Sequence, residues 1–392
     1  MATRFLGQKE SIFSEMNHLA KEFNAVNLGQ GAPNFYGPQK VLDEISSAVF
    51  SCHNQYSPPG GEPLLKKSVA NFHEKVTKIK YHFEKEILIT NGASEALYCA
   101  MNAFLNPKDK VLIIEPAFDI YFQALKSCSA EVIPLSLHAP DTPVGLSNNS
   151  QWSFDWKELD ALKYVDIKMV ILNTPHNPTG KVFNEEECNR LVNFIYEKNC
   201  LVVCDEVYEN LIYENHSLVS LCTYPKIQHL CIRISSAAKT LGFTGLKCGW
   251  AIGPEYLIQA MQIVHQSIVF CVSVFTQLGI AHFLNDEKEF DNYLENQRKE
   301  YDKKRKRLSQ ILTRANFILS PCQGSFFIAA NYEHIELRQN SLDFSKSFTA
   351  SKKIATIPMA AFYLKPPKLL PWVRFTFCKT DETFDEVENL LL

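Results

Sequence analysis

From about residue 86 the chain alternates short, almost unbroken apolar runs with longer stretches whose apolar residues recur at helical spacing. The runs are Ile87-Leu88-Ile89-Thr90, Val111-Leu112-Ile113-Ile114, Val132-Ile133-Pro134-Leu135, Met169-Val170-Ile171-Leu172, Leu201-Val202-Val203-Cys204 and Cys231-Ile232-Arg233-Ile234. A strand that is apolar on both faces must be covered on both, as in a parallel sheet between layers of helices. The pattern therefore predicts an α/β fold with a large, mainly parallel sheet flanked by helices. After Gly249-Trp250-Ala251-Ile252-Gly253 the spacing turns helical to about residue 315, and the polar stretch 286–307 reads as a long connecting helix. Strand-like runs return at 325–328 and 372–377, so the tail is expected to build a smaller α+β domain. Residues 141–150 read as a loop, and no internal repeat is visible.

Composition narrows the possible functions. A chain of 392 residues can bury a large core and has room for two or three domains. Charge is nearly balanced, with 40 basic against 43 acidic residues. The one basic run, Lys303-Lys304-Arg305-Lys306-Arg307, lies in a Glu/Lys/Arg-rich helical stretch and reads as a solvated helix face, so nucleic-acid binding is not expected. The 12 cysteines have no recurrent spacing and no C-x-x-C pair. Free thiols in a reducing compartment fit best. The N-terminus lacks the apolar centre of a signal peptide and no run is long enough to span a membrane, so a cytoplasmic protein without a membrane partner is expected.

The chemistry concentrates at the ends of the apolar runs. Ser235-Ser236-Ala237-Ala238-Lys239 follows one, and Asp205-Glu206-Val207-Tyr208 follows another. Carboxyl ends of buried strands are where open α/β sheets bind ligands. A lysine on a fixed turn and an aspartate at a neighbouring strand end suit pyridoxal 5'-phosphate: the lysine forms a Schiff base, and the carboxylate keeps the ring nitrogen protonated so that the ring accepts electrons. Taken alone, Lys239 would read as a surface charge and Asp205 as a helix N-cap. Tyr208 and the amide of Asn177 can hydrogen-bond the cofactor's phenolic oxygen. His176, in the loop Asn173-Thr174-Pro175-His176-Asn177-Pro178-Thr179-Gly180, reads as a loop residue without a catalytic role. Gly92, Ala93 and Ser94 open a helix after a strand, so their amides form a phosphate cradle to which Ser236 and Lys247 add a hydroxyl and a cation. Phe118, just past a strand end, can stack on the pyridine face, with a core phenylalanine as the plain alternative. Arg374 falls inside an apolar strand, where a charge needs a partner. Its planar fork suits an amino acid's α-carboxylate, the plain alternative being a structural ion pair.

The ordered set Gly29-Gln30-Gly31, Asn54-Gln55-Tyr56, Asn91-Gly92-Ala93-Ser94-Glu95-Ala96, 173–180, 205–208, 236–247 and Arg374 resembles the fold-type I, pyridoxal-phosphate-dependent aminotransferases, most closely the kynurenine, glutamine and methionine aminotransferases. The likeness runs from about Ser11 to the C-terminus. It implies an aspartate aminotransferase-like architecture: residues 1–35 contribute to a small domain, 36–285 form the large cofactor-binding domain, and 286–392 form the connecting helix and the C-terminal small domain. It further implies that Gly31, Asn177 and Arg374 hold the substrate carboxylate, with Phe13 beside the substrate side chain. Tyr56 and Phe270 would reach across from the second subunit of a homodimer with shared active sites. Departures lie at Ala32 and Asn34, where relatives usually carry phenylalanine and aspartate, at Leu246 for tryptophan and at Ala238 for glycine. None removes a group the chemistry needs.

The expected activity is transfer of the amino group of a large neutral or aromatic L-amino acid to a 2-oxo acid. The alternative is a carbon–sulfur β-lyase using the same site. A regulatory module without turnover would be expected to lack Lys239 or Arg374. No metal site is expected.

Overall fold

The computed structural model describes residues 2, 10–51, 54–140, 151–336 and 339–392. The expected loop at 141–150 lies outside the described residues. The chain begins with α1 (Ile12–Glu22), β1 (Val26–Asn27), α2 (Gln39–Phe50) and α3 (Pro63–Thr77). There follow β2 (Ile87–Thr90), α4 (Ala93–Phe104), β3 (Lys110–Glu115), α5 (Asp119–Ser127), β4 (Glu131–His138), β5 (Ser153–Phe154), α6 (Trp156–Ala161), β6 (Met169–Asn173), α7 (Glu185–Lys198), β7 (Leu201–Asp205), β8 (Cys231–Ser236), α8 (Ala237–Thr240) and β9 (Gly249–Ile252). Three helices come next: α9 (Glu255–Ile268), α10 (Val274–Asn285) and the 28-residue α11 (Glu287–Arg314). The tail contains β10 (Ile318–Leu319), β11 (Phe327–Asn331), α12 (Ser341–Lys352), β12 (Ile354–Ala355), β13 (Ile357–Pro358), β14 (Trp372–Thr376) and α13 (Asp381–Leu391).

Each apolar run becomes a strand of one eight-stranded sheet, ordered β2-β9-β8-β7-β6-β3-β4-β5. The central pairs are parallel, while β9 runs antiparallel to both its neighbours and β5 antiparallel to β4. Alternation along β7 divides the core. Val202 and Cys204 join the cluster on one face of the sheet, and Val203 joins the cluster on the other. Burying each such aliphatic side chain contributes about 1.5–3 kcal/mol, so strands buried on both faces anchor the fold. Polar caps fix the helix ends between them. Asn184 and Glu187 form a capping box at the start of α7, and Asn199 ends that helix in the left-handed conformation.

A second, antiparallel sheet, β10-β11-β14-β13, belongs to the tail. The early segment lies beside it: β1 pairs in parallel with β12 as a separate two-stranded sheet, and Thr376 of β14 donates its N–H to the Leu28 carbonyl at 2.7 Å. Two expectations need correction. The strand expected at 325–328 begins only at Phe327, because Ser325 turns through the left-handed region at φ 63. The basic run on α11 is only partly a solvated face. Lys304 is buried with its ammonium 5.3 Å from the Phe35 ring, and Arg305 pairs with Asp302 at 2.7 Å and Glu214 at 2.6 Å. Both result from α11 packing along α13 and the small sheet, which leaves its inner basic residues to be neutralised.

Candidate functional site

Strand register brings three polar ends together. Asn173 lies opposite Asp205 at the ends of β6 and β7, and Ser236 closes β8 beside them. All open into a cleft of about 400 Å³ at the carboxyl edge of the parallel strands. Thirteen of the candidate site residues line it: Phe13, Gly31, Gly92, Ala93, Ser94, Phe118, Asn177, Asp205, Tyr208, Ser236, Lys239, Lys247 and Arg374. Tyr56 and Phe270 do not. They lie outside the cleft, 82% and 47% exposed, with their rings in edge contact at 5.4 Å. Phe270 also adopts φ 67, an unusual backbone for a bulky residue.

Lys239 stands on the single turn α8, which follows β8 directly. Its Nζ is 3.4 Å from the Gly31 carbonyl and is caged by the Phe326 ring at 5.1 Å and the Tyr208 ring at 5.8 Å. Burial lowers its pKa to about 8, and the nearby Arg374 and Lys247 push the same way against Cys378 and Asp205. Asp205 is fully enclosed and accepts a hydrogen bond from the Tyr121 hydroxyl at 2.5 Å. Burial raises its pKa while that bond lowers it. Asn173 steadies the same corner, donating to the Asp205 carbonyl at 2.8 Å and accepting the Asn177 N–H at 2.8 Å.

Arg374 is 1% exposed in the middle of β14. Its Nη1 donates to the Asn177 amide oxygen at 2.7 Å and its Nη2 to the Gly29 carbonyl at 2.6 Å. The guanidinium lies 3.9 Å over the Phe327 ring, and Nε has no partner among the described residues. Burial lowers its pKa to about 10. No carboxylate among the described residues forms an ion pair with it, so the sequence alternative of a structural ion pair does not hold.

At the opposite end of the cleft α4 begins at Ala93 without any side-chain cap, its first amides free to meet an anion. Gly92 precedes it at φ 81, and a Cβ there would come within 3.4 Å of the Lys247 ammonium, which makes no ion pair among the described residues. Close approach also explains Gly249, where a Cβ would meet the Ala93 nitrogen at 2.7 Å. An uncapped helix start, a free ammonium and a hydroxyl at one end, with a buried carboxylate and a desolvated lysine further in, fit a phosphorylated pyridine aldehyde. Pyridoxal phosphate can therefore be held by Ala93, Ser94, Ser236 and Lys247 at its phosphate and by Asp205, Tyr208, Asn177 and Phe118 around its ring.

His176 is buried and bonded to Thr179 Oγ1 at 2.7 Å, with its pKa lowered to about 3 by burial and then by Lys181, so it serves the loop. Sequence reasoning missed Tyr121 and Asn173. Tyr121 follows Phe118 by one helical turn at the mouth of α5, a spacing that could have flagged it. Asn173 ends its strand as Asp205 does.

This arrangement on this topology defines the aspartate aminotransferase-like, fold-type I class. The profile of the family described as aminotransferase class I and II matches residues 24–390. The chain is 32% identical to the human kynurenine–oxoglutarate transaminase 3 over 405 residues, covering 100% of this chain and 89% of the relative. It is 30% identical to the methionine aminotransferase of Escherichia coli strain K12, covering 95% and 93%. The solved N-succinyldiaminopimelate aminotransferase of Mycobacterium tuberculosis superposes with a TM-score of 0.92 at 31% identity, covering 100% of this chain and 99% of that one. The chain belongs to the class I and II aminotransferases and is a pyridoxal-phosphate-dependent transaminase.

Proposed function

We propose that this enzyme moves the amino group of a large neutral or aromatic L-amino acid, of the methionine, phenylalanine, tyrosine, glutamine or kynurenine type, to a 2-oxo acid. The observation that carries the reading is Arg374, a buried guanidinium with a free Nε and no carboxylate of its own. A substrate α-carboxylate completes it, with Asn177 and Gly31 alongside. Among the described residues the other cations lining the cleft are Lys239 and Lys247, so a second, side-chain carboxylate finds no arginine among them. Phe13 and Phe118 instead reward apolar side chains by about 1.5–3 kcal/mol for each group buried. The names of the kynurenine and methionine relatives support the same class.

In this reading pyridoxal phosphate supplies an electron sink that acidifies the substrate's α-proton. Lys239 Nζ would hold the cofactor and, as a free amine, would carry the proton away from the substrate Cα. Its lowered pKa keeps a useful fraction neutral near pH 8. Asp205, oriented by Tyr121, keeps a proton on the ring nitrogen. Tyr208 and Asn177 would offer hydrogen bonds to the phenolic oxygen. The Ala93 and Ser94 amides, Ser236 and Lys247 neutralise the phosphate.

We further propose a homodimer in which Tyr56 and Phe270 complete the partner's site. Their exposure, mutual contact and exclusion from their own cleft support this. The division at 35 and 285 is proposed with it, supported by β1 pairing with β12. A cytoplasmic, reducing setting is supported by the 11 described cysteines, all free, and among the described residues no helix is long and apolar enough to cross a membrane. Fractionation that recovered the protein from an oxidising compartment would contradict it. Half-reactions test the substrate class: single amino acids are added to the holoenzyme and conversion of its visible band is followed. The reading fails if kcat/KM for aspartate equals that for methionine and phenylalanine. Full activity of a sedimentation-defined monomer would overturn the shared site.

A further inference from the structure

Strand β7 carries different chemistry on its two sides. Side chains alternate along a strand, so Asp205 faces the cleft while Cys204 and Glu206 face away from it. On that far side one ligating atom each of Cys204, Glu206 and Cys222 lie within 4.8 Å of one another. The Cys231 thiol is within hydrogen-bonding reach of both other sulfurs and also donates to the Ile227 carbonyl at 3.3 Å. All four side chains are buried. Glu206 Oε2 forms an ion pair with Arg233 Nε at 2.8 Å, and the Ser220 hydroxyl also lies against its carboxylate. A carboxylate has about four lone-pair sites, so these partners leave room for a cation beside the two sulfurs. A separate cleft, lined in part by Tyr81, Cys222, His229 and Cys231, leads to the cluster from solvent.

We propose that Cys204, Glu206 and Cys222 form a binding site for a thiolate-seeking divalent cation, with Zn²⁺ the best fit. Sulfur at about 2.3 Å and oxygen at about 2.1 Å from tetrahedral zinc stand roughly 3.5–3.8 Å apart, so the three groups need close in only by roughly 1 Å. Two thiolates and a carboxylate against a dication leave one negative charge, and Arg233, which Glu206 shares with Glu209, lies beside it. Cys231 remains a thiol that donates to the thiolates, and the fourth position faces the cleft that Cys222 lines. As each zinc–sulfur bond forms, the corresponding S–H bond breaks and its proton passes to water. No electron moves. The site is independent of the substrate reading, since it lies behind the sheet, yet it shares a strand end with Asp205.

The test is zinc content per chain of the holoenzyme after loading and gel filtration, together with cadmium titration read by thiolate charge-transfer absorption and by proton release into weak buffer. One ion per chain, with the thiolate band, is expected. Cys222→Ser should weaken binding at least tenfold and Glu206→Gln to a lesser degree, while Cys128→Ser, just past the end of α5, should not change it. The cofactor's visible band reports folding in each variant. The proposal is overturned if the native protein takes up no ion, binds cadmium without the thiolate band, or binds equally well as Cys222→Ser. If the cysteine variants do not fold, the native titration alone decides it. A Cys204–Cys222 disulfide formed in place of metal uptake would also overturn it.

Discussion

Buried cations meet opposite fates on the two sides of the large sheet. Behind it Arg233, 1% exposed, lies 2.8 Å from Glu206 and 2.5 Å from Glu209, and buried Lys181 pairs with Glu187 at 2.9 Å. In the cleft Arg374, just as buried, reaches only neutral oxygens among the described residues, while Lys239 has one carbonyl at 3.4 Å. An uncompensated buried charge costs several kcal/mol, so a fold retains one only where something outside the chain supplies the counter-charge. The difference separates cations that hold the protein together from cations that await a ligand. It also explains why Lys239 and Arg374 have lowered pKa values while Arg233, held by two carboxylates, stays fully charged.

The contrast is most easily broken at Lys239. Lys239→Ala should reduce turnover by more than about 10³-fold, because the covalent anchor and the proton carrier are the same atom. The apoprotein should lose no stability to urea, since a desolvated ammonium has been removed. A borohydride-reducible lysine link to the cofactor in this variant, or retained turnover, would show that the wrong lysine has been assigned.

Arg233 should behave in the reverse manner. Arg233→Met leaves Glu206 and Glu209 buried without their cation and should cost about 3–5 kcal/mol in urea unfolding. Its kcat/KM, measured on the folded fraction, should stay near the native value. A catalytic defect larger than the stability defect would dissolve the distinction between the two sides.

How much of this was legible in the sequence follows from the same physics. The parallel sheet was readable because β3, β6, β7 and β8 are apolar on both faces, and Lys239, Asp205 and Arg374 stood out as polar residues ending or interrupting such runs. Tyr121 was not readable. Its hydroxyl reaches Asp205 only because α5 packs over the end of β7, a relation across the fold rather than along the chain. Nor could spacing reveal that Arg374 lacks an acidic partner, since Asp119, Asp205 and Glu206 are all near in sequence to cleft residues. The late start of β11 also escaped, because Ser325 carries no local sign of a left-handed turn.

A smaller effect belongs to Arg374. Arg374→Gln should lower kcat/KM for every amino donor by about 2–4 kcal/mol, the loss of a charge-assisted pair with the α-carboxylate, mainly through KM. Thermal stability should hold or rise, as the unpaired charge is gone. If the variant instead unfolds as readily as Arg233→Met, Arg374 is a structural cation and the cleft needs another carboxylate receptor.

The smallest effect is a shift along the pH axis. Cofactor capture by the apoprotein requires Lys239 as the neutral amine, so its rate should rise with pH to a midpoint of about 8 rather than at the usual 10.5. The sign follows for stability as well. With the folded pKa below the unfolded one, the unfolded chain holds more protons between these values, so this group's penalty is full below about pH 8 and fades as pH climbs toward 10.5. Burial is the main cause, and Arg374 is one of the two cations that add to it. Arg374→Gln should therefore move the capture midpoint upward, whereas Arg233→Met, whose charge is already neutralised behind the sheet, should leave it in place. Stopped-flow absorbance across pH 7 to 10 on the three apoproteins makes the comparison. Equal shifts in both variants would mean that the two arginines act on the cleft alike, and that pairing by Glu206 and Glu209 does not silence Arg233.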